Sequence, residues 1–279
     1  FNGCMANSKS TNCVVGDLET ILTTKSYAGG FTGRSTIGYA ITLGDEEESD
    51  NTLLGAIISL VAGAATGDYT PNQQLLHLAG ITVSEIHGCK VKGSGITIRA
   101  GESYAGGLIG SGDGTIIETS EVCADDNVVN ADSMPVIELV SASKGSPGGI
   151  AGALTTANGA GLLGERVGLV QVQEYEATDL STSVREVRAE KGDYAGGAFG
   201  LLTGGEVDHV SVGAIETVTA NNYAGGFVGR SGVGSLVDAK GLDILGLGAV
   251  EVGNLLSIGN LTSVDIKNST VTGNDLTVS

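Results

Sequence analysis

One heptapeptide recurs four times in this chain: YAGGFTG at 27–33, YAGGLIG at 104–110, YAGGAFG at 194–200 and YAGGFVG at 223–229. Weaker relatives are PGGIAG at 147–152 and LVAGAATG at 60–67. Counting these, successive copies begin about 29 to 47 residues apart. That is the spacing of an architecture built from one repeated unit whose individual turns carry insertions. Such a unit cannot bury its apolar face alone and must lay it against its neighbours.

The segments before each copy repeat in pattern. LETILTTKS precedes Tyr27, GITIRAGES precedes Tyr104, VREVRAEKGD precedes Tyr194 and AIETVTANN precedes Tyr223. Each alternates β-branched or apolar residues with polar ones, then closes on small or polar residues, which is the sequence of strand followed by turn. Residues 81–98 and 205–218 read the same way, and the chain still alternates at its last residue. Within the motif, a period of two places Tyr27, Gly29, Phe31 and Gly33 on one face and Ala28, Gly30 and Thr32 on the other. Seven of the eleven aromatics lie in the four copies.

Stacked copies bring like rings together. The reading adopted is a core: Tyr27, Tyr104, Tyr194 and Tyr223 mostly buried beside Gly29, Gly30, Gly106, Gly107, Gly196, Gly197, Gly225 and Gly226 of their own or an adjacent turn, each hydroxyl bonded to a carbonyl or turn side chain. On that reading Tyr104→Ala costs ~3–5 kcal/mol, and Gly106→Val destabilises for want of room beside the ring. The competing reading is an exposed stripe of rings on which a sugar stacks.

Composition excludes several classes. Gly numbers 46 but Pro only 3, without a three-residue period, so the chain is not collagenous. With 41% apolar residues it is too hydrophobic for a disordered polymer. A 4% aromatic content gives a round globule little bulky material, whereas stacked turns share a thin core. A net charge of −18 with scattered basic residues argues against nucleic acid. The uncharged run at 51–67 has an apolar centre too short to span ~30 Å of bilayer as a helix, and the run at 145–164 holds seven glycines. No membrane insertion is expected.

The AGG-apolar-x-G core resembles the GLUG-type repeat and, more broadly, the β-solenoid segments of large bacterial surface proteins. The resemblance implies a secreted or cell-surface, adhesin-like architecture and transfers no catalytic residues. The expected fold is all-β, a right-handed parallel β-helix forming one elongated unit over 1–279. Long insertions fall between residues 34 and 95 and between 111 and 183; the spacing over 53–62 fits a short helix, and its apolar run would also serve as a buried strand. The start at Phe1 and the uncapped end suggest a piece of a longer protein, with neighbouring domains of the same polypeptide as partners.

Candidate chemistry is sparse. Cys4, Cys13, Cys89 and Cys123 are disulfide candidates for an oxidising compartment, with three pairings open. Nearest-neighbour pairing needs the least reach. The acidic run Asp45, Glu46, Glu47, Glu48 and Asp50, and the looser group Asp125, Asp126 and Asp132, match no calcium-binding order. No cofactor is expected, and calcium is the one ion these carboxylates would suit. His77, His87 and His209 have no partner motif. Asp125, Asp126 and His87 resemble the acidic pair and histidine of polygalacturonases, without the surrounding motifs. Asn260-Leu-Thr and Asn268-Ser-Thr satisfy the N-glycosylation pattern. The function expected is a non-enzymatic structural or adhesive segment that meets a host or cell-surface protein or glycan. A polysaccharide-active β-helix lyase or hydrolase is the alternative.

Overall fold

The computed structural model describes residues 3–36, 83–123, 136–158, 171–232 and 263–279 apart from 274. The chain divides into two compact units, one of residues 1–37 and 83–279 and one of residues 38–82. The second unit, and with it the candidate helix over 53–62, lies outside the described residues. In the first unit every described regular element is a strand, and the main sheets are parallel.

Each copy of the motif contributes to two sheets. Ala28–Gly29, Ala105–Gly106, Pro147–Gly148, Tyr194–Gly196 and Tyr223–Gly225 line up in chain order as a five-stranded parallel sheet. The strands that follow, Thr32–Thr36, Ile109–Asp113, Ala151–Thr155, Phe199–Thr203 and Val228–Gly232, form a second sheet in the same order, with Cys4–Ala6 at its edge. The weak relative at 147–152 therefore occupies a full place in the series. The candidate at 60–67 falls outside the described residues.

Of the remaining strands, Ala157–Asn158 and Gln171–Gln173 form an antiparallel pair and the rest build a fifteen-stranded sheet. Its backbone bends at one recurring position, occupied by Asn12, Gly88, Thr119, Asp179, His209 and Asn268, all with φ between 44° and 60°. The register of the preceding residues, Thr11, His87, Glu118, Thr178, Asp208 and Lys267, places these six side by side. Asn and Asp tolerate this left-handed conformation and Gly meets no steric penalty in it. After the bend, Ser120 donates its hydroxyl back to the Glu118 carbonyl at 2.9 Å, and Ser269 donates to that of Lys267 at 2.7 Å. The thiols of Cys13 and Cys89 take the same course to the carbonyls of Thr11 and His87, at 3.6 and 3.5 Å.

Alternation sets the core, as the pattern expects. Ile86, Ile117, Ala177 and Val207 point inward before the bend. On the far arm Ile98, Val140, Val187 and Val218 are fully buried in register. Like residues from successive repeats thus pack on one another, and a core only a few side chains wide is continuous through the unit.

Candidate functional site

The first two sheets meet at the motif itself. Between Gly29 and Thr32 only two residues intervene, so the chain reverses sharply at Gly30 and Phe31 and breaks the two-residue alternation expected through the motif. Phe31 turns into the core at 3% exposure. A Cβ on Gly106 would lie 2.7 Å from both the Ala151 Cα and the Ile150 oxygen of the next repeat. One on Gly110 would lie 2.9 Å from the Ala28 nitrogen. The two sheets therefore touch backbone to backbone. Gly106 is required, but by neighbouring main chain and not by a tyrosine ring.

The tyrosines meet the expectation only in part, and Tyr223 departs from it outright. Tyr27, Tyr104 and Tyr194 are half-buried and Tyr223 is 60% exposed. With no space between glycine-lined backbones, the residue at the mouth of each arch can only cover the outside. Tyr27 stacks on Tyr104 with ring centres 6.0 Å apart and planes at 15°, and Tyr194 stacks on Tyr223 at 5.7 Å and 29°. In the third repeat Ser146 stands where the other copies have tyrosine, which separates the stripe into two pairs.

Arginines complete each pair. The Arg34 guanidinium lies 5.3 Å from the centre of the Tyr27 ring and that of Arg230 lies 5.0 Å from the Tyr194 ring, within the range of cation–π attraction. Arg230 also donates to the Tyr194 hydroxyl. Arg34 bonds Asp113 at 3.0 Å, and Asp113 accepts a second bond from the Thr155 hydroxyl at 2.6 Å. Burial, followed by the neighbouring Tyr27, Asp113 and Tyr194, raises the Tyr104 phenol above its ordinary pKa. Arg34 and Arg230 were not singled out from the sequence, although the signal was there: both copies that carry them continue as G-R-S.

A second cluster lies on the outer side of the bent sheet. His87 Nε2 is 2.8 Å from Glu85 and Nδ1 is 2.9 Å from Glu118 of the next repeat, while Lys9 of the preceding repeat pairs with Glu85 at 2.5 Å. The hydrogen bonds from Lys9 and then His87 hold the Glu85 carboxyl below its usual pKa. His209 is exposed and 3.1 Å from Asp208, whose other partner is the side-chain amide of Asn268 at 2.9 Å. Asn268, in one of the two glycosylation triplets, is thus already engaged. His77, Asn260 and both acidic groups fall outside the described residues. Among the described residues no three or more His, Cys, Asp or Glu side chains are arranged to hold a metal ion, and no helix is long and apolar enough to cross a membrane.

The four cysteines carry free thiols. Cys4 sits in the second sheet in register with Arg34, whereas Cys13 follows the bend of the fifteen-stranded sheet. Cys89 is fully buried, its thiol reaching the carbonyls of Ser10 and His87, and burial raises its pKa. Cys123 is buried too, which pushes its thiol up to about 12.

Compared with protein-family models, curated proteins and solved structures, the chain matches none.

Proposed function

We propose that the described unit is a right-handed parallel β-solenoid, a GLUG-like repeat segment that serves as a non-enzymatic adhesive scaffold of a secreted or cell-surface protein. The fold reading is supported by the return of each motif copy to the same sheet one strand further on. The handedness follows from the near-universal right-handedness of crossovers between parallel strands. The adhesive reading rests on one observation, the outward-facing tyrosine pairs flanked by arginines. Partly exposed phenols offer an apolar face and a polar edge, which suits the flat face of a sugar ring or a protein surface. Arg230, exposed beside one pair, adds donors for carboxylate groups on the partner, whereas Arg34 is held by Asp113.

The polysaccharide-active alternative draws on the Glu85, His87 and Glu118 cluster, which joins two carboxylates and an imidazole. Every one of those groups is already paired, however, which suits a surface network better than a free acid and base.

One experiment separates the two. The protein is incubated with neutral and acidic polysaccharides, with and without calcium, and both retention and chain cleavage are measured. Retention that is lost in a Tyr194→Ala, Tyr223→Ala double variant supports adhesion. Cleavage that is lost in Glu118→Gln reverses the choice in favour of an enzyme. Absence of both removes the glycan partner from the reading.

A further inference from the structure

We propose that Cys13 and Cys89 form a disulfide that staples the first repeat to the second. Their placement follows from strand register. Val14 pairs with Lys90 and Thr11 with His87, so the two cysteines occupy the same position of the bend on neighbouring strands. The Lys90 N–H donates to the Cys13 carbonyl at 2.8 Å, which fixes the two backbones against each other at that point. Paired strands lie ~4.8 Å apart, inside the ~4.4–6.8 Å that separates the Cα atoms of disulfide-bonded cysteines.

The side chains converge as well. The Cys89 thiol crosses towards the first repeat, where it lies 3.7 Å from the Ser10 carbonyl, and Cys13 is among the neighbours that perturb it. The alternatives are worse placed. Cys4 belongs to a different sheet from Cys13. Cys89 lies beside Ser120, not Cys123, which stands three positions further along the strand, roughly 10 Å away.

Access orders the chemistry. Cys13 is partly exposed and Cys89 is buried, and burial raises the Cys89 thiol above its ordinary pKa. The Cys13 thiolate attacks one sulfur of a small-molecule disulfide and expels one thiolate, which leaves a mixed disulfide on Cys13. Cys89 then gives up its proton and attacks the Cys13 sulfur, and the second thiolate leaves. The protein loses two electrons and two protons, and the small disulfide becomes two thiols. The product closes a loop that includes the whole 38–82 unit and ties the edge strands of the first repeat to the body of the fold.

The folded protein is treated with oxidised glutathione, the remaining thiols are alkylated, and non-reduced peptides are mapped by mass spectrometry. The expected result is one cross-link, Cys13 to Cys89, with the chain two hydrogens lighter and Cys4 and Cys123 alkylated after unfolding. Cys13→Ser must abolish the cross-link and Cys4→Ser must leave it intact. Serine is tolerated at this bend, since Ser120 and Ser269 already occupy it. A cross-link through Cys4 or Cys123, or four alkylated cysteines, overturns the proposal. Because the readout depends on register alone, it is independent of whether the tyrosine stripe binds a partner.

Discussion

The two edges of the repeat are held together by opposite means. On the bent sheet, Ile98, Val140, Val187 and Val218 fill the space between backbones with branched side chains. At the arch, Gly106, Gly110, Gly148 and Gly196 leave no space to fill, and main chain meets main chain. The first arrangement tolerates a missing methyl at the cost of a cavity. The second tolerates no added atom. A protein with 4% aromatic residues can therefore be well packed, because the packing at the arch requires no bulk.

The comparison breaks first at the arch. Gly106→Val places three carbons where the Ala151 Cα and Ile150 oxygen already stand. The obstacle is backbone held in two sheets and cannot swing aside, so a loss of ~3–5 kcal/mol is expected, at the severe end of overpacking. Urea unfolding measures it. A loss under about 1 kcal/mol would show that the two sheets can separate.

Next comes the filled side. Ile98→Ala empties a fully buried site between Ile21 and Val140, with an expected cost of ~2–4 kcal/mol in the same assay. The variant should keep its parallel sheets, since the backbone there is not in contact across the core. A cost near zero would mean that the stack collapses to fill the void.

The smallest effect is electrostatic. Glu85 titrates below its ordinary range because Lys9 and then His87 hydrogen-bond its charged form. A depressed folded-state pKa contributes stability above the unfolded value of about 4.5, and that contribution disappears as pH falls through the depressed value. Lys9→Gln should therefore lower stability at pH 7 by less than about 1 kcal/mol, as exposed pairs do, and by less still at pH 3. An equal effect at both values would assign the loss to the lysine stem and not to its charge.

Much of the fold could be read from the chain. The four YAGG copies and the alternation at 81–98, 205–218 and the chain's end give strands that the structure places in parallel sheets, and PGGIAG takes its place among them. The faces of the motif could not be read, because a period of two assumes a continuous strand and the chain reverses at Gly30. That reversal sends Phe31 inward and leaves Tyr27 only half-buried, so rings of similar bulk in one motif have different fates. The side-by-side placement of Cys13 and Cys89 was also hidden, because the 75 residues between them give no hint of a shared register. Arg34 and Arg230 were visible only as letters, since nothing in G-R-S says that the guanidinium lies over a tyrosine, that of its own copy for Arg34 and that of the preceding copy for Arg230.

The most direct test uses two positions two residues apart in one repeat. Gly196 sits inside the arch, where a Cβ would lie 2.5 Å from the Gly229 nitrogen, and Tyr194 sits at its mouth under Arg230. Thermal unfolding of Gly196→Ala and Tyr194→Ala should rank them against chemical intuition. Adding one methyl should lower the melting temperature by more than removing an entire phenol. If Tyr194→Ala proves the more damaging of the two, the rings and not the glycines hold this edge together, and the account of the arch is wrong.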